Sequence, residues 1–358
     1  MDLNVERYFD NAATTPLDER VLREMLPFLK EGFGNANSIH GFGQQARNAV
    51  ELARSRVASL VGAEDPSQII FTSGATEANN QILRSFVEGA VSPFEHSAVR
   101  EPARRLHFQT LSNDGLTILP PEEPVELISL MKVNNEIGTV WNPADLSVPA
   151  TYVHSDVTQA LGKVPFDLEG IAFASFSAHK FYGPKGVGGL YYRDRPPDPL
   201  LIGGEQENHL RGGTLNVPGI IGMGVAAEIA GDELAASYDH ASELRSVLLE
   251  GLSGCTDWQT NGGSQVSPYI LSLSFLGLEG ETLVVELDRA GFAISSGAAC
   301  SSNSVEPSHV LQALNLDEAW ARGTVRISFG RYCKVESTRD LSKSLRHAVE
   351  NVRRMDRT

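Results

Sequence analysis

The sequence predicts an α/β fold in which helices cover a mainly parallel β-sheet, followed by a smaller α+β section. Strand-like and helix-like segments alternate to about residue 230, which is typical of parallel sheets with helical connections. Short apolar runs at residues 69–71, 127–133 and 171–176 end in polar residues, as buried strands do. The chain has 358 residues, enough for one large or two medium domains with an ample core.

Two amphipathic helices are expected before the first of these strands. Thr15, Pro16 and Asp18 form a helix-start pattern in which Thr15 is the cap and Pro16 takes the first helical position. A second helix with one apolar face follows and is stopped by Gly62. Much later, residues 270–275 alternate apolar and small polar side chains, which predicts a strand of the second section.

The strand at residues 69–71 runs into a turn with the features of a phosphate site. Ser73, Gly74, Ala75 and Thr76 lead directly into a helix-forming stretch. Backbone N–H groups at a helix start bind phosphate, glycine permits close approach, and the threonine adds a hydroxyl. An ordinary capped helix would explain the turn by itself, so other segments must decide between the two interpretations.

Lys180 follows the strand at residues 171–176, at a position where α/β proteins place their ligands. Such a lysine is either a solvated surface side chain or an amine that forms a Schiff base with a carbonyl cofactor. Asp156 ends another short strand-like segment. A pyridoxal phosphate (PLP) enzyme needs a lysine, a carboxylate at the pyridine nitrogen, a phosphate cradle and a group that covers the ring. The sequence supplies candidates for the first three.

Composition excludes several other classes of protein. The net charge of −15 and pI near 5.1 disfavour a broad nucleic-acid surface and suit a soluble cytoplasmic protein. The three cysteines, without a C-x-x-C pair, predict neither a disulfide framework nor a metal site. The N-terminus lacks the pattern of a signal peptide, and the most apolar helical stretch, near residues 220–227, is too short to span a membrane.

Six motifs in order resemble those of a cysteine desulfurase of the IscS/NifS type, in the class V aminotransferase family. They are FDNAATTP at residues 9–16, TSGATE at 72–77, VNNEIG at 133–138, HSDVTQ at 154–159, SAHK at 177–180 and SSGAAC at 295–300. The resemblance covers nearly the whole chain. It implies a PLP-dependent transferase of fold type I, with a seven-stranded sheet in a large domain at residues 15–238. Residues 1–14 and 239–358 would then form the small domain.

The resemblance also assigns roles to individual residues. It implies catalytic roles for Lys180, Cys300 and His96; cofactor contacts for Gly74, Ala75, Thr76, His96, Asn135, Asp156, Gln159, Ser177, His179, Lys180 and Thr214; and substrate contacts for Asn11, Asn135 and Arg326. Other interpretations remain for three of them: His96 as a solvated loop histidine, Asn135 as a turn asparagine, and Arg326 as a structural salt-bridge partner. For Arg326 we favour the substrate carboxylate, because a guanidinium binds it bidentately.

The glycine-rich segment at residues 203–214 is either a flexible lid or, as the resemblance implies, part of a dimer interface. In the second case Thr214 reaches the phosphate held by the partner subunit, and the protein is a homodimer.

Cys300 lies in a run of small residues, 295–304, that cannot pack a core and favours a mobile loop. A cysteine in such a loop would be exposed and reactive, whereas Cys255 and Cys333 lack this setting and are interpreted as structural. The length of the segment resembles the long-loop IscS/NifS group rather than the short-loop SufS group.

The implied reaction converts L-cysteine to L-alanine and leaves the sulfur as a persulfide on Cys300, for transfer to an acceptor protein. The alternatives are a selenocysteine lyase, a class V aminotransferase, and a sulfur-relay scaffold with little activity of its own. Iron–sulfur assembly, tRNA thiolation, DNA phosphorothioation and cofactor sulfuration all begin with this chemistry, so the acceptor stays open. The chain ends soon after its last predicted helix, and we therefore expect no long tail for docking a scaffold.

Overall fold

The computed structural model describes residues 4–145, 150–297 and 307–355, which form ten α-helices and thirteen β-strands. The helices are α1 (Glu19–Lys30), α2 (Gly41–Val61), α3 (Ala75–Arg84), α4 (Ser97–Arg105), α5 (Val217–Asp232), α6 (Leu234–Gly251), α7 (Gly280–Arg289), α8 (His309–Ala313), α9 (Glu318–Ala321) and α10 (Val335–Met355). The strands are β1 (Ile69–Thr72), β2 (Gly89–Val91), β3 (Gln109–Thr110), β4 (Asn113–Asp114), β5 (Thr117–Ile118), β6 (Val125–Ser129), β7 (Ala150–Asp156), β8 (Phe173–Ser177), β9 (Gly188–Tyr192), β10 (Trp258–Thr260), β11 (Ile270–Phe275), β12 (Ser295–Ser296) and β13 (Thr324–Ser328).

A seven-stranded sheet in the order β1-β9-β8-β7-β6-β2-β3 forms the centre of the molecule. Strand β9 runs antiparallel to both of its neighbours, and the other pairings are parallel. Because β7 and β8 are parallel neighbours, Asp156 and Ser177 emerge at the same edge of the sheet. The mainly parallel sheet confirms the fold class that the sequence predicts.

The first helix begins later than the sequence pattern indicates. Asp18 caps α1, and its side chain accepts a hydrogen bond from the backbone N–H of Arg20 at 2.8 Å. Thr15 is not the cap, because its hydroxyl donates instead to the carbonyl of His179 at 3.0 Å. The predicted end of α2 is correct: Gly62 has a φ of 83°, the left-handed conformation that terminates helices.

A four-stranded antiparallel sheet, β10-β11-β13-β12, has a core of its own with α6, α7 and α10. Phe9 is fully buried in this core, and bridges join Tyr8 to Ala293 and Asp10 to Ser328. The N-terminal segment therefore packs with the second section, although the domain boundaries stay a prediction. Within the described residues, no helix has both the length and the apolar character needed to cross a membrane.

Candidate active site

A cavity of about 400 Å³ lies at the edge of the sheet where β7 and β8 end. Ten of the residues that the sequence predicts for the site line it: Ala75, Thr76, His96, Asn135, Asp156, Gln159, Ser177, His179, Lys180 and Arg326. These residues come from segments far apart in the sequence. The fold thus brings most of the predicted site together in one place.

Lys180 ends a short 3₁₀-helix, Ala178–Lys180, that follows β8 directly. Its Nζ donates to the carbonyl oxygens of Ala12 and Ala13, both at 2.7 Å. The N-terminal segment therefore orients the lysine amine from outside the sheet.

Asp156 is the last residue of β7 and is 5% exposed. Its Oδ2 accepts from Asn79 Nδ2 at 2.8 Å, and its Oδ1 accepts from the backbone N–H of Thr158 at 3.0 Å. Both oxygens are oriented by neutral donors, which fixes the plane of the carboxylate in the cavity wall.

The start of α3 has the geometry expected of a phosphate cradle. Gly74 has a φ of 155°, a conformation that residues with a side chain rarely adopt, and a Cβ there would lie 3.3 Å from Ser177 Oγ. The backbone N–H of Ala75 donates to the same hydroxyl at 2.7 Å. Thr76 lines the cavity one residue further on. A helix N-terminus and hydroxyl groups thus converge on the cavity, as anion binding requires.

His96 caps α4, and its Nδ1 accepts from the backbone N–H of Ala98 at 3.1 Å. Burial lowers the pKa of His96 from its usual value, and the charge of Asp156 opposes the shift only partly. A neutral ring whose Nδ1 is an acceptor carries its proton on Nε2. His96 can therefore donate a hydrogen bond or a proton from Nε2.

His179 also lines the cavity, with its Nδ1 3.1 Å from the hydroxyl of Thr14. Burial, and secondarily the charge of Lys180, lower the pKa of His179 to about 4. This ring is neutral at physiological pH.

Arg326 lies on β13 and is 4% exposed. Its Nη2 donates to Asp10 Oδ1 at 2.8 Å, and its Nη1 donates to the carbonyl of Asn135 at 2.9 Å. Its buried Nε has no hydrogen-bond partner among the described residues. The salt bridge considered above is present, and the side chain still keeps one unsatisfied donor in a residue that lines the cavity.

Two functional candidates were missed by the sequence analysis. Asn79 holds Asp156, and Lys163 Nζ donates to Gln159 Oε1 at 2.9 Å. Burial, with the nearby charges of Lys180 and Arg326, lowers the pKa of Lys163 to about 7. The two residues meet through a turn at residues 158–163, for which the sequence offered no helix pattern.

The segment that follows residues 298–306 is attached to two loops of the cavity. Ser308 Oγ donates to the carboxylate of Glu136, which adjoins Asn135. His309 Nε2 lies 2.9 Å from the carbonyl oxygen of Glu95, which adjoins His96. The start of α8 is thus fixed beside two residues that line the cavity.

The segment at residues 203–214 is also anchored. Glu207 is 9% exposed and accepts from both terminal nitrogens of Arg54, each at 2.8 Å. Arg211 Nε donates to Glu77 on α3 at 2.9 Å. These two ion pairs hold the segment against α2 and the first turn of α3, so it is no loose lid.

Asn11 and Thr214 are two described residues of the predicted site that do not line this cavity. Asn11 lines a second cavity of about 220 Å³, and its Nδ2 donates to the carbonyls of Tyr8 and Ser328, each at 3.0 Å. Thr214 is exposed at the end of the anchored segment. Cys300 falls outside the described residues, and the roles of all three stay predictions.

The residues present fit PLP. The cavity wall carries an amine in Lys180, a carboxylate in Asp156, and a helix start at Ala75 whose preceding residue, Gly74, leaves room for a phosphate. These are the groups by which a protein binds PLP and controls its electronics. The fold and the site together define a PLP-dependent enzyme of the α/β class.

Comparisons with known proteins give the family. The model of the family described as "Aminotransferase class-V" matches residues 7–341, and the chain belongs to this family. "Cysteine desulfurase IscS" from Dictyoglomus turgidum is 40% identical over 380 residues, which cover 97% of this chain and 95% of the relative. The predicted family, fold type and PLP cofactor are thereby confirmed.

Solved structures of similar proteins have the same fold. A NifS-like protein superposes with a TM-score of 0.87 at 37% identity, over 97% of this chain and 100% of the other. The structure described as SspA in complex with cysteine has a TM-score of 0.77 at 31% identity, over 92% of this chain and 100% of the other.

Proposed function

We propose that this protein is a PLP-dependent cysteine desulfurase. It converts L-cysteine to L-alanine, keeps the sulfur as a persulfide on Cys300, and passes it to an acceptor protein. The observation that carries the proposal is the convergence of Lys180, Asp156, His96 and Arg326 on one cavity beside a phosphate cradle. The relatives named as cysteine desulfurases match over nearly their full length, which supports the same activity here.

When bound, PLP supplies a carbonyl that takes up the substrate amine and a ring that accepts electrons from Cα. Lys180 would hold the cofactor through Nζ, and its amine would move protons at Cα and Cβ of the substrate. Asp156 keeps the pyridine nitrogen protonated. Thr76, Ser177 and His179 hold the phosphate.

Arg326, which lines the cavity, binds the substrate carboxylate through its guanidinium group. His96 covers the ring and supplies a proton from Nε2. Asn135 would hydrogen-bond the phenolic oxygen of the cofactor, and Gln159 would contact the same oxygen or the neighbouring Schiff-base region.

The Cys300 thiolate attacks the substrate sulfur: an S–S bond forms, the C–S bond breaks, and its electron pair stays with the carbon that becomes the methyl group of alanine. Thr214 reaches the phosphate of a partner subunit in a homodimer. The acceptor is a protein with a thiol or cluster-assembly site, and the enzyme acts in the cytoplasm.

The test measures alanine and sulfide formed from L-cysteine by the purified holoenzyme without any keto acid. We expect Cys300→Ser to bind PLP normally yet release no alanine above background, because a hydroxyl does not replace a thiolate as the sulfur nucleophile. Mass spectrometry should find one extra sulfur on Cys300 in the parent protein.

Cys255→Ser and Cys333→Ser are the matched controls. Burial raises the pKa of both thiols, that of Cys333 to about 11, so neither is a good nucleophile, and both variants should keep full activity. A fully active Cys300→Ser enzyme, or alanine formation that requires a keto acid, would reject the desulfurase mechanism.

A further inference from the structure

A continuous row of hydrogen bonds runs through the sheet and ends on the carboxylate of Asp156. Ser129 Oγ on β6 lies 2.9 Å from His154 Nδ1 on β7, and His154 Nε2 lies 3.1 Å from Ser175 Oγ on β8. Ser175 Oγ donates to Asn79 Oδ1, and Asn79 Nδ2 donates to Asp156 Oδ2 at 2.8 Å. Four side chains thus form a hydrogen-bonded path from β6, across β7 and β8, to Asp156 in the cavity wall.

All four of these side chains, Ser129, His154, Ser175 and Asn79, are 0% exposed. A buried donor or acceptor without a partner is unfavourable, so each group in the row needs its hydrogen bond. The arrangement of protons along the row is therefore determined by the protein and not by solvent.

The direction of each hydrogen bond follows from its end point. A carboxylate only accepts, so Asn79 presents its N–H to Asp156 and its oxygen to Ser175. The single proton of Ser175 then points to Asn79, and its oxygen accepts from His154. The ring must therefore carry a proton on Nε2.

The other ring nitrogen of His154 is then free to accept. Burial lowers the pKa of His154 to about 4, against the opposing charge of Asp156, so the ring is neutral and has a single N–H. Its Nδ1 accepts the hydroxyl proton of Ser129. All four bonds point the same way, toward Asp156.

We propose that His154, held as the Nε2–H tautomer, is a positioning residue that keeps the Asn79 amide facing Asp156. Ser175 transmits the orientation because its hydroxyl has a single proton. Ser175 can donate that proton to Asn79 only if His154 donates its own N–H to the Ser175 oxygen. The consequence is a carboxylate with one neutral donor on each oxygen, Asn79 on Oδ2 and Thr158 on Oδ1. A carboxylate fixed in this way presents one orientation to the pyridine nitrogen of the cofactor. This inference rests on the proposed role of Asp156 in holding the cofactor.

The direct test is nitrogen NMR of the apoprotein labelled at its nine histidines, with the His154 signals identified by their loss in His154→Gln. We expect a protonated Nε2, an unprotonated Nδ1, and no titration between about pH 8 and pH 6. A proton on Nδ1, or a ring that titrates near its ordinary pKa of about 6.5, would overturn the proposal.

A second test measures coupling through the apparent Kd for PLP. We expect His154→Phe to raise that Kd about tenfold, and to raise it far less when Asn79→Ala is already present, because both act through one path. The control pair is His154→Phe with Thr76→Ala, whose effects should multiply, since Thr76 belongs to the phosphate cradle. Multiplicative effects in the His154 and Asn79 pair would refute transmission through Ser175.

The experiments distinguish a failure of the desulfurase assignment from a failure of the proposed role of His154. An enzyme that makes no alanine but shows the Nε2–H tautomer and the coupling would contradict the desulfurase assignment alone. A desulfurase in which His154 titrates normally would contradict this inference alone.

Discussion

Asp156 and Arg326 are both buried charged side chains in the wall of one cavity, but they are held in different ways. Neutral donors, an amide and a backbone N–H, orient Asp156. An ion pair with Asp10 and one carbonyl orient Arg326, whose Nε stays without a partner among the described residues. Asp156 is therefore held by a fixed hydrogen-bond geometry among neutral groups, whereas Arg326 is held mainly by the charge of Asp10.

Among changes to these two side chains and their partners, the largest effect is expected when the charge of Asp156 is removed. Asp156→Ala should lower kcat by roughly 10³-fold while retaining some PLP, because an unprotonated pyridine is a poor electron sink. Asp156→Asn keeps the volume and should lose almost as much. Steady-state alanine assays and cofactor absorbance check both, and near-normal turnover in either variant would remove Asp156 from the mechanism.

Replacing Arg326 should act on substrate binding more than on turnover. We expect Arg326→Lys to lower kcat/KM for L-cysteine roughly 100-fold, mainly through KM, because an ammonium keeps the charge but lacks the guanidinium fork. Steady-state kinetics and the affinity for an unreactive cysteine analogue measure the effect. A loss confined to kcat would contradict the proposed contact with the substrate carboxylate.

His154, which is connected to Asp156 through Ser175 and Asn79, should also lower the stability of the folded protein at acidic pH. The pKa of His154, lowered to about 4 by burial, lies below the value of about 6.5 in the unfolded chain. Between these pH values the unfolded state binds a proton that the folded state does not, so stability falls as pH falls.

For His154 this loss is at most roughly 3 kcal/mol. Urea denaturation of the apoprotein at a series of pH values should show the decline, and His154→Gln should weaken it. An unchanged pH dependence in the variant would show that His154 ionises alike in both states.

The smallest effect is expected from Asp10→Asn, which keeps the shape of the ion-pair partner and removes its charge. If Arg326 binds substrate, this variant should change kcat/KM only about threefold, since the guanidinium remains in place. A loss as large as that of Arg326→Lys would mean that the ion pair itself is the function of Arg326.

Local sequence was sufficient to predict the position of site residues that directly follow a strand. Asp156 ends β7 and Lys180 follows β8 within one turn, so strand prediction alone placed both at strand ends, whereas Ser177 was assigned through the family resemblance. Thr15 was misassigned as a cap because its hydroxyl is used by His179, 164 residues away.

The contact of Asn79 with Asp156 also could not be predicted from local sequence. Nothing in the helix pattern of residues 75–84 indicates that its amide faces Asp156, because that contact depends on how α3 packs on the sheet. The proton arrangement around His154 likewise required the side-chain contacts of three strands.

The anchored segment at residues 203–214 has a consequence for assembly. Glu207, Asn208 and His209 all have positive φ angles, of 47°, 54° and 68°, and the buried pair of Arg54 and Glu207 holds this unfavourable backbone in place. The conformational entropy of the segment is therefore lost when the chain folds and not when two subunits meet. In the proposed homodimer, association would begin from a rigid surface, which leaves more of the contact energy for affinity.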